Sequence, residues 1–367
     1  MHQYTQGKNT RQAHKGIPEG LFEEEQGQDG FFGNVSHLLR RKPSTSWLNI
    51  EGPLKPRLYD LVKCSQSENK QRLFYNDQVN VYLEWKEKSA IANLKAYRSA
   101  DGDLLYFCHK GKGEFFTEYG ILSYQRGHYI VVPKNIAHAI NAEEKSNFFV
   151  IENLTSHYKE PSRGIVGRHA LYDTNAIGKP NLELQLQKLL ENKNPIREIE
   201  VKHAGEITKF THGDTVFDVV GWKGDLFPYT LHMDHIMPLM SHRAHLPPSA
   251  HSTFVARDFV VCTFLPRPLE MDEDALKVPF YHQNMDYDEV LFYHDGDFFS
   301  RDNLHAGMLS FHPAGFPHGP HPKAVKNIKT KTETNEYAVM LDTRCPLKRD
   351  SFLEEVEVKE YWKSWKE

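Results

Sequence analysis

A chain of 367 residues with 39% hydrophobic and 12% aromatic content, 23 glycines and 20 prolines is long enough for two cores and suits a β-rich globular protein. Its formal net charge of −4 gives no electrostatic case for a nucleic-acid partner. The four cysteines, Cys64, Cys108, Cys262 and Cys345, form no CxxC pair, which argues against a disulfide framework or a zinc ribbon. The opening run MHQYTQGKNTRQAHKG is polar, unlike a signal peptide, and no apolar stretch approaches a membrane span, so a cytoplasmic protein is expected.

Residues 1–30 are polar and rich in Gly and Gln, with an acidic run at Glu23–Glu25, and read as a surface arm. GPLKPRLYDLV and Val79–Trp85 read as β-structure. The stretch after Ser99 then repeats a layout found again near the C-terminus. Asp103 to Phe107 answers Glu289 to Tyr293, and His109 and Gly111 answer His294 and Gly296. Gly127, Pro133, Asn135 and His138 answer Gly307, Pro313, Gly315 and His318. Two barrels of similar fold are expected, divided as residues 1–200 and 201–367. The first repeat has no histidine where His282 stands. His138, even with Asp103, offers too few ligands for a metal, so this half is expected to be structural.

Between the repeats, Leu182, Leu184, Leu186, Leu189 and Leu190 suggest a connector helix. A group of histidines follows, His232, His235, His242, His245 and His251, from which acid/base or substrate-orienting groups are recruited most readily. The tail SFLEEVEVKEYWKSWKE is charged and amphipathic and predicts a C-terminal helix packed on the outside.

The chemistry concentrates in YHQNMDYDEVLFYHDGDFF and LSFHPAGFPHGPHP. Runs of Val, Leu, Phe and Tyr alternate there with Gly, Pro and Asp turns, as in a small β-barrel. A lone strand histidine is usually a satisfied core or surface residue. His282, Glu289 and His318 together, however, supply two imidazoles and one carboxylate with coordination positions left open, a set that suits a non-haem Fe(II) oxygenase. The spacing from His282 admits Asp288 as the acid instead. Strand alternation favours Glu289, which shares a face with Leu291 and Tyr293, and leaves Asp288 as a turn residue bonding backbone N–H groups.

The order and spacing of His282, Asn284, Glu289 and Gly296, and of Gly307, Pro313, Gly315 and His318, resemble the two boxes of the cupin superfamily. Asn284 stands where many cupins have a second His, and Pro322 where an Asn often closes the second box. More specifically, GLFEEEQGQDGFFGNVSHLLRRKPSTSW, VVGWKGDLFPYTL, HLPPSAHSTF, FYHQN and FHPAGFPHGPHP resemble the homogentisate 1,2-dioxygenases. That resemblance implies a mainly β bicupin of two β-barrel or jelly-roll halves, with Fe(II) in the C-terminal half alone, often assembled as a homo-oligomer. It makes His282, Glu289 and His318 the iron ligands. It also makes His245 and His312 catalytic and puts His245, His312 and His318 around the substrate.

The implied reaction inserts O2 into a dihydroxylated aromatic acid, homogentisate to maleylacetoacetate, in tyrosine and phenylalanine catabolism. Phe298 occupies the position of a family tyrosine, so the substrate stays open to gentisate or a hydroxylated phenylacetate variant. A metal-dependent isomerase and a non-catalytic binding cupin are the rivals from other classes.

Overall fold

The computed structural model describes residues 4–64, 69–162, 164–192, 195–277, 280–299, 301, 303–328 and 331–365. It is mainly β, as expected, and divides into two compact units. One holds Ser65–Met237 with Lys348–Asp350; the other holds Met1–Cys64, Pro238–Leu347 and Ser351–Glu367. The division expected at 200/201 is therefore corrected. The first 64 residues are part of the unit built from the C-terminal half, because their strands pair there.

In the Ser65–Met237 unit, a seven-stranded sheet is centred on Asp103–Lys110 and Ser146–Asn153, which pair antiparallel. A six-stranded sheet contains Ala96–Ser99, His138–Ala142, Lys112–Thr117 and Gly120–Gln125. Side chains two apart face the same side of a strand, so Leu104, Tyr106 and Cys108 join Phe148 and Val150 in one core, with Phe115, Leu122 and Tyr124 added from the second sheet. The connector helix is present as Leu182–Glu191. The Asn181 side chain caps its first turn by accepting from the Leu184 N–H at 3.0 Å. Its buried residue is polar: Gln185 bonds both the N–H and the C=O of Thr117. Leu184 and Leu189 pack inward, whereas Leu190 is 87% exposed.

In the other unit, a sheet runs in the order Ser252–Val255, Phe259–Phe264, Glu333–Thr343, Asp288–Asp297, Met308–His312 and Arg57–Asp60. A second sheet has Phe22–Gly27 at its centre, parallel to Tyr281–Asn284 and antiparallel to Val35–Arg40. The surface-arm expectation for residues 1–30 fails at this strand, although residues 4–9 are exposed. Glu23, Glu24 and Glu25 lie in the central strand and are 2%, 1% and 3% exposed. Composition misleads because each acid finds a basic partner: His14 for Glu23 and Glu25, and Arg40 for Glu24.

The tail also departs from expectation. It forms a single turn, Leu353–Val356, and a 3-10 turn, Tyr361–Trp365, not one helix on the outside. Glu357 leaves the helix with extended backbone, bridges Tyr59 and accepts an ion pair from Arg57 at 2.6 Å, which breaks the continuity. Tyr361, Trp362 and Trp365 are buried. All four cysteines are free thiols. No helix among the described residues is long and apolar enough to cross a membrane.

Candidate metal centre and its cavity

Three elements bring the expected ligands together. His282, on Tyr281–Asn284, and His318 exchange both backbone bonds, at 2.8 and 2.9 Å. This reciprocal bridge sets the rings side by side with centroids 4.1 Å apart. Each ring is oriented by a main-chain carbonyl two residues earlier: His282 Nδ1 meets Phe280 O at 3.1 Å, and His318 Nδ1 meets Phe316 O at 3.0 Å. A proton on Nδ1 leaves Nε2 as the lone-pair atom in both. Those two Nε2 atoms are buried without a hydrogen-bond partner.

Glu289, on Asp288–Asp297, completes the set. One ligand atom from each of His282, Glu289 and His318 lies within 4.8 Å of the others. Glu289 Oε2 is 3.5 Å from His318 Nε2, and Oε1 accepts from His312 Nδ1 at 2.7 Å. Buried nitrogen lone pairs converging on a carboxylate are what a cation would satisfy, so the donor set fits Fe(II). Burial opposes ionisation of Glu289, but the neighbouring His318 and His312 outweigh it and hold the carboxyl well below its ordinary range. Burial, then the charge of Glu289, pushes Asp342 on the adjacent strand well above its own range.

Asp288 is committed elsewhere. Its two oxygens accept from Ala314 N and Leu347 N, both at 2.7 Å. Asn284 likewise turns away from the ligand set, its Oδ1 accepting from Tyr287 N at 3.2 Å.

A cavity of about 110 Å3 opens beside the ligands. Its lining includes His245, His251, His282 and Glu289, with Leu291 and Tyr293 on the same strand face as Glu289. Of the five clustered histidines, His245 and His251 reach this wall, His242 is exposed, and His232 and His235 belong to the other compact unit. His245 Nδ1 bonds Glu270 Oε1 at 2.9 Å. Burial lowers its pKa to about 4 against the pull of Glu270, so the ring is neutral and Nε2 is its acceptor. His312 and His318 are not among the residues lining the cavity. His312 stacks on His318 at 4.4 Å and 9° and faces Glu289. Phe298 is packed in the core against Tyr293.

Sequence reasoning missed two arginines on this wall. Arg267 is 6% exposed, and its Nη1 is buried with no hydrogen-bond partner. Arg301 donates to Gly319 O at 2.9 Å. Arg267 sits between Pro266 and Pro268 at the end of an apolar strand, an unusual setting for a cation. Its inward direction comes from pairing with Thr334, which local sequence does not reveal.

The sequence profile of the homogentisate 1,2-dioxygenase N-terminal domain matches residues 73–233, and that of the C-terminal domain matches 228–367. The chain belongs to the homogentisate 1,2-dioxygenase family. A candidate dioxygenase of Saccharolobus solfataricus is 30% identical over 363 residues, covering 94% of this chain and 92% of that protein. The homogentisate 1,2-dioxygenases of Dictyostelium discoideum and Rhizobium etli are 25% and 26% identical over 74% and 72% of this chain. This chain spans 65% and 61% of their lengths. Among solved structures, a cupin 2 conserved barrel protein from Leptotrichia buccalis aligns over 78% of this chain and 96% of its own, at 12% identity and a TM-score of 0.36.

Proposed function

We propose that this protein is an Fe(II)-dependent ring-cleaving dioxygenase acting on a dihydroxylated aromatic acid, with His282, Glu289 and His318 as the iron ligands. The observation that carries the reading is the pair of buried, unpartnered Nε2 atoms converging with Glu289 beside a cavity that also presents His245 and Arg267. Bound Fe(II) supplies the one-electron chemistry that lets O2 react with an aromatic ring.

The chain's own residues divide the remaining work. His245, fixed by Glu270, accepts the phenolic proton on Nε2. Arg267 and Arg301 receive the substrate carboxylate, Arg267 through a donor that has no protein partner. Phe264, Leu291 and Met340 hold the ring and exclude water. His312 fixes the Glu289 carboxylate through Oε1 and leaves Oε2 toward His318.

The phenolic acid is homogentisate in the first instance, which places the enzyme in tyrosine and phenylalanine catabolism. Gentisate is the rival, because Phe298 supplies no hydroxyl to this site. The test is anaerobic Fe(II) reconstitution followed by an oxygen-electrode screen of homogentisate, gentisate and hydroxyphenylacetates. Stoichiometric O2 uptake with one of them is expected. Turnover of a substrate without O2 uptake would replace this reading with a metal-dependent isomerase. The other partners follow from the same reading: O2 and a small aromatic acid, with a homo-oligomer in the cytoplasm and no nucleic acid or membrane.

A further inference from the structure

A second group of donors lies in the first 37 residues. Phe22–Gly27 and Val35–Arg40 pair so that Glu25 stands directly opposite His37. Directly paired residues share a face, and so do residues two apart, which puts Glu23, Glu25 and His37 together. His14 closes over them from a left-handed turn at φ 59°. Its N–H donates to Glu23 Oε2 at 2.8 Å, and its ring packs on Phe280 at 4.4 Å.

The ring of His14 is oriented as a ligand would be. Nε2 meets Glu25 Oε2 at 2.5 Å, leaving Nδ1 to face Glu23 Oε2 at 3.0 Å. His37 Nδ1 is 3.6 Å from the other Glu23 oxygen. His14 Nδ1, Glu23 Oε1 and His37 Nδ1 are all buried and lack a hydrogen-bond partner, although His14 and Glu23 are each only 2% exposed. One ligand atom from each of the three lies within 4.8 Å of the others. Metal–ligand bonds of 2.0–2.2 Å in a tetrahedral site set neighbouring ligand atoms about 3.3–3.5 Å apart. The observed 3.0 and 3.6 Å, one to each Glu23 oxygen, lie close to that spacing.

We propose that His14, Glu23 and His37 form a second metal site, for Zn(II) or a similar first-row divalent cation, with Glu25 orienting His14 from behind. A carboxylate on the far nitrogen of a ligand histidine is the usual outer partner in zinc sites. Three protein ligands leave a fourth position for water, and His37 is open enough to admit it, with 24% of its side chain exposed. A divalent cation sets two positive charges beside the buried Glu23 and Glu25 carboxyls, where a proton on His14 sets one.

The competing occupant is that proton. Burial lowers the His14 pKa, but the neighbouring Glu23 and Glu25 carboxylates outweigh it and raise the value to about 9. A protonated His14 would therefore also hold the cluster, and the experiment must separate the two.

The full chain carrying Glu289→Ala, which disables the other donor set, is dialysed against micromolar Zn(II), washed, and its metal measured by mass spectrometry. About one zinc per chain is expected, with a rise in Tm on zinc addition. In the double variant Glu289→Ala/His37→Gln, whose added change is at a partly exposed strand position, zinc should fall below a tenth per chain and the Tm response should vanish. Adding Glu25→Gln to Glu289→Ala should weaken zinc binding about 10- to 100-fold without abolishing it. A Glu289→Ala chain that holds no zinc, or a double variant that holds as much as its parent, overturns the proposal and leaves a proton-held cluster. Far-ultraviolet circular dichroism establishes that each variant is folded.

Discussion

His318 and His138 occupy the same place in the internal repeat, after the same Gly and Pro, and both are 2% exposed. They have opposite fates. His138 Nε2 bonds the Tyr106 hydroxyl at 2.8 Å, and its ring stacks on Phe115 within an aromatic cluster. His318 keeps Nε2 unpartnered and faces a second imidazole and a carboxylate. The difference lies in the neighbours. Where the unit with the candidate ligands has Glu289, the repeat has Asp103, whose oxygens accept from Lys134 N and Tyr158 N and so tie down loops. One barrel position thus becomes core or site according to whether a phenol or a lone pair is set opposite it.

The largest effect that would break this contrast is at Glu289. Glu289→Ala should remove iron and lower turnover by more than about 1,000-fold, a loss of metal-assisted catalysis rather than of one hydrogen bond. Asp288→Ala should keep one iron per chain and cost about 1–3 kcal/mol in denaturant unfolding, because two backbone N–H groups lose their acceptor. The reverse pattern of iron content would move the site by one residue. Next is His245→Gln, expected to bind iron normally and to turn over about 100- to 10,000-fold more slowly. Wild-type turnover would reduce His245 to a structural partner of Glu270.

Arg267→Met sharpens the comparison on the substrate side. KM for the aromatic acid should rise about tenfold or more, the size of one hydrogen bond to a charged group, while iron content is unchanged. An equal KM would mean that Arg267 does not receive the carboxylate.

The smallest effects are expected in the Ser65–Met237 unit. His138→Gln should leave iron near one per chain and activity intact. It should also alter stability in acid. Burial lowers the His138 pKa to about 4 from 6.5, although Glu84 opposes this. The unfolded chain therefore takes up a proton here before the folded one does. Its contribution is fully present above pH 6.5 and is lost progressively as pH falls towards 4. Denaturant unfolding of the variant should be less pH-dependent over that window. An unchanged profile would show that His138 does not titrate as a buried core group, and loss of iron would put the site in the wrong half.

Most of the architecture was legible because it is written in short-range patterns. Alternation disclosed the strands, the repeated Gly-Pro-His layout disclosed two similar halves, and the leucines between Leu182 and Leu190 disclosed the connector helix. The grouping of His282, Glu289 and His318 was legible for the same reason, since each sits on a strand or turn with a clear facing direction. What stayed hidden depends on partners far along the chain. Glu23–Glu25 looks solvated until His14 and Arg40 are set beside it, and nothing near Arg267 in sequence shows its direction until Thr334 pairs with it. The tail looks like one helix until Glu357 pairs with Tyr59. The family resemblance puts His312 beside the substrate, and its Nδ1 is hydrogen-bonded to Glu289.

The parallel pairing of Glu24 with Tyr281 has a consequence for biosynthesis. At about 5–20 residues per second, the ribosome reaches Tyr281 roughly 10–50 s after it has made Glu24. Throughout that interval the Phe22–Gly27 strand has only its hairpin neighbour Val35–Arg40 to cover it, and one edge with its three acids stays open. The acidic run, unsuited to association with other nascent strands, protects that edge while it waits. The unit that holds Phe22–Gly27 is thus begun before the intervening unit and completed after it, and the intervening unit can fold while the other is still incomplete.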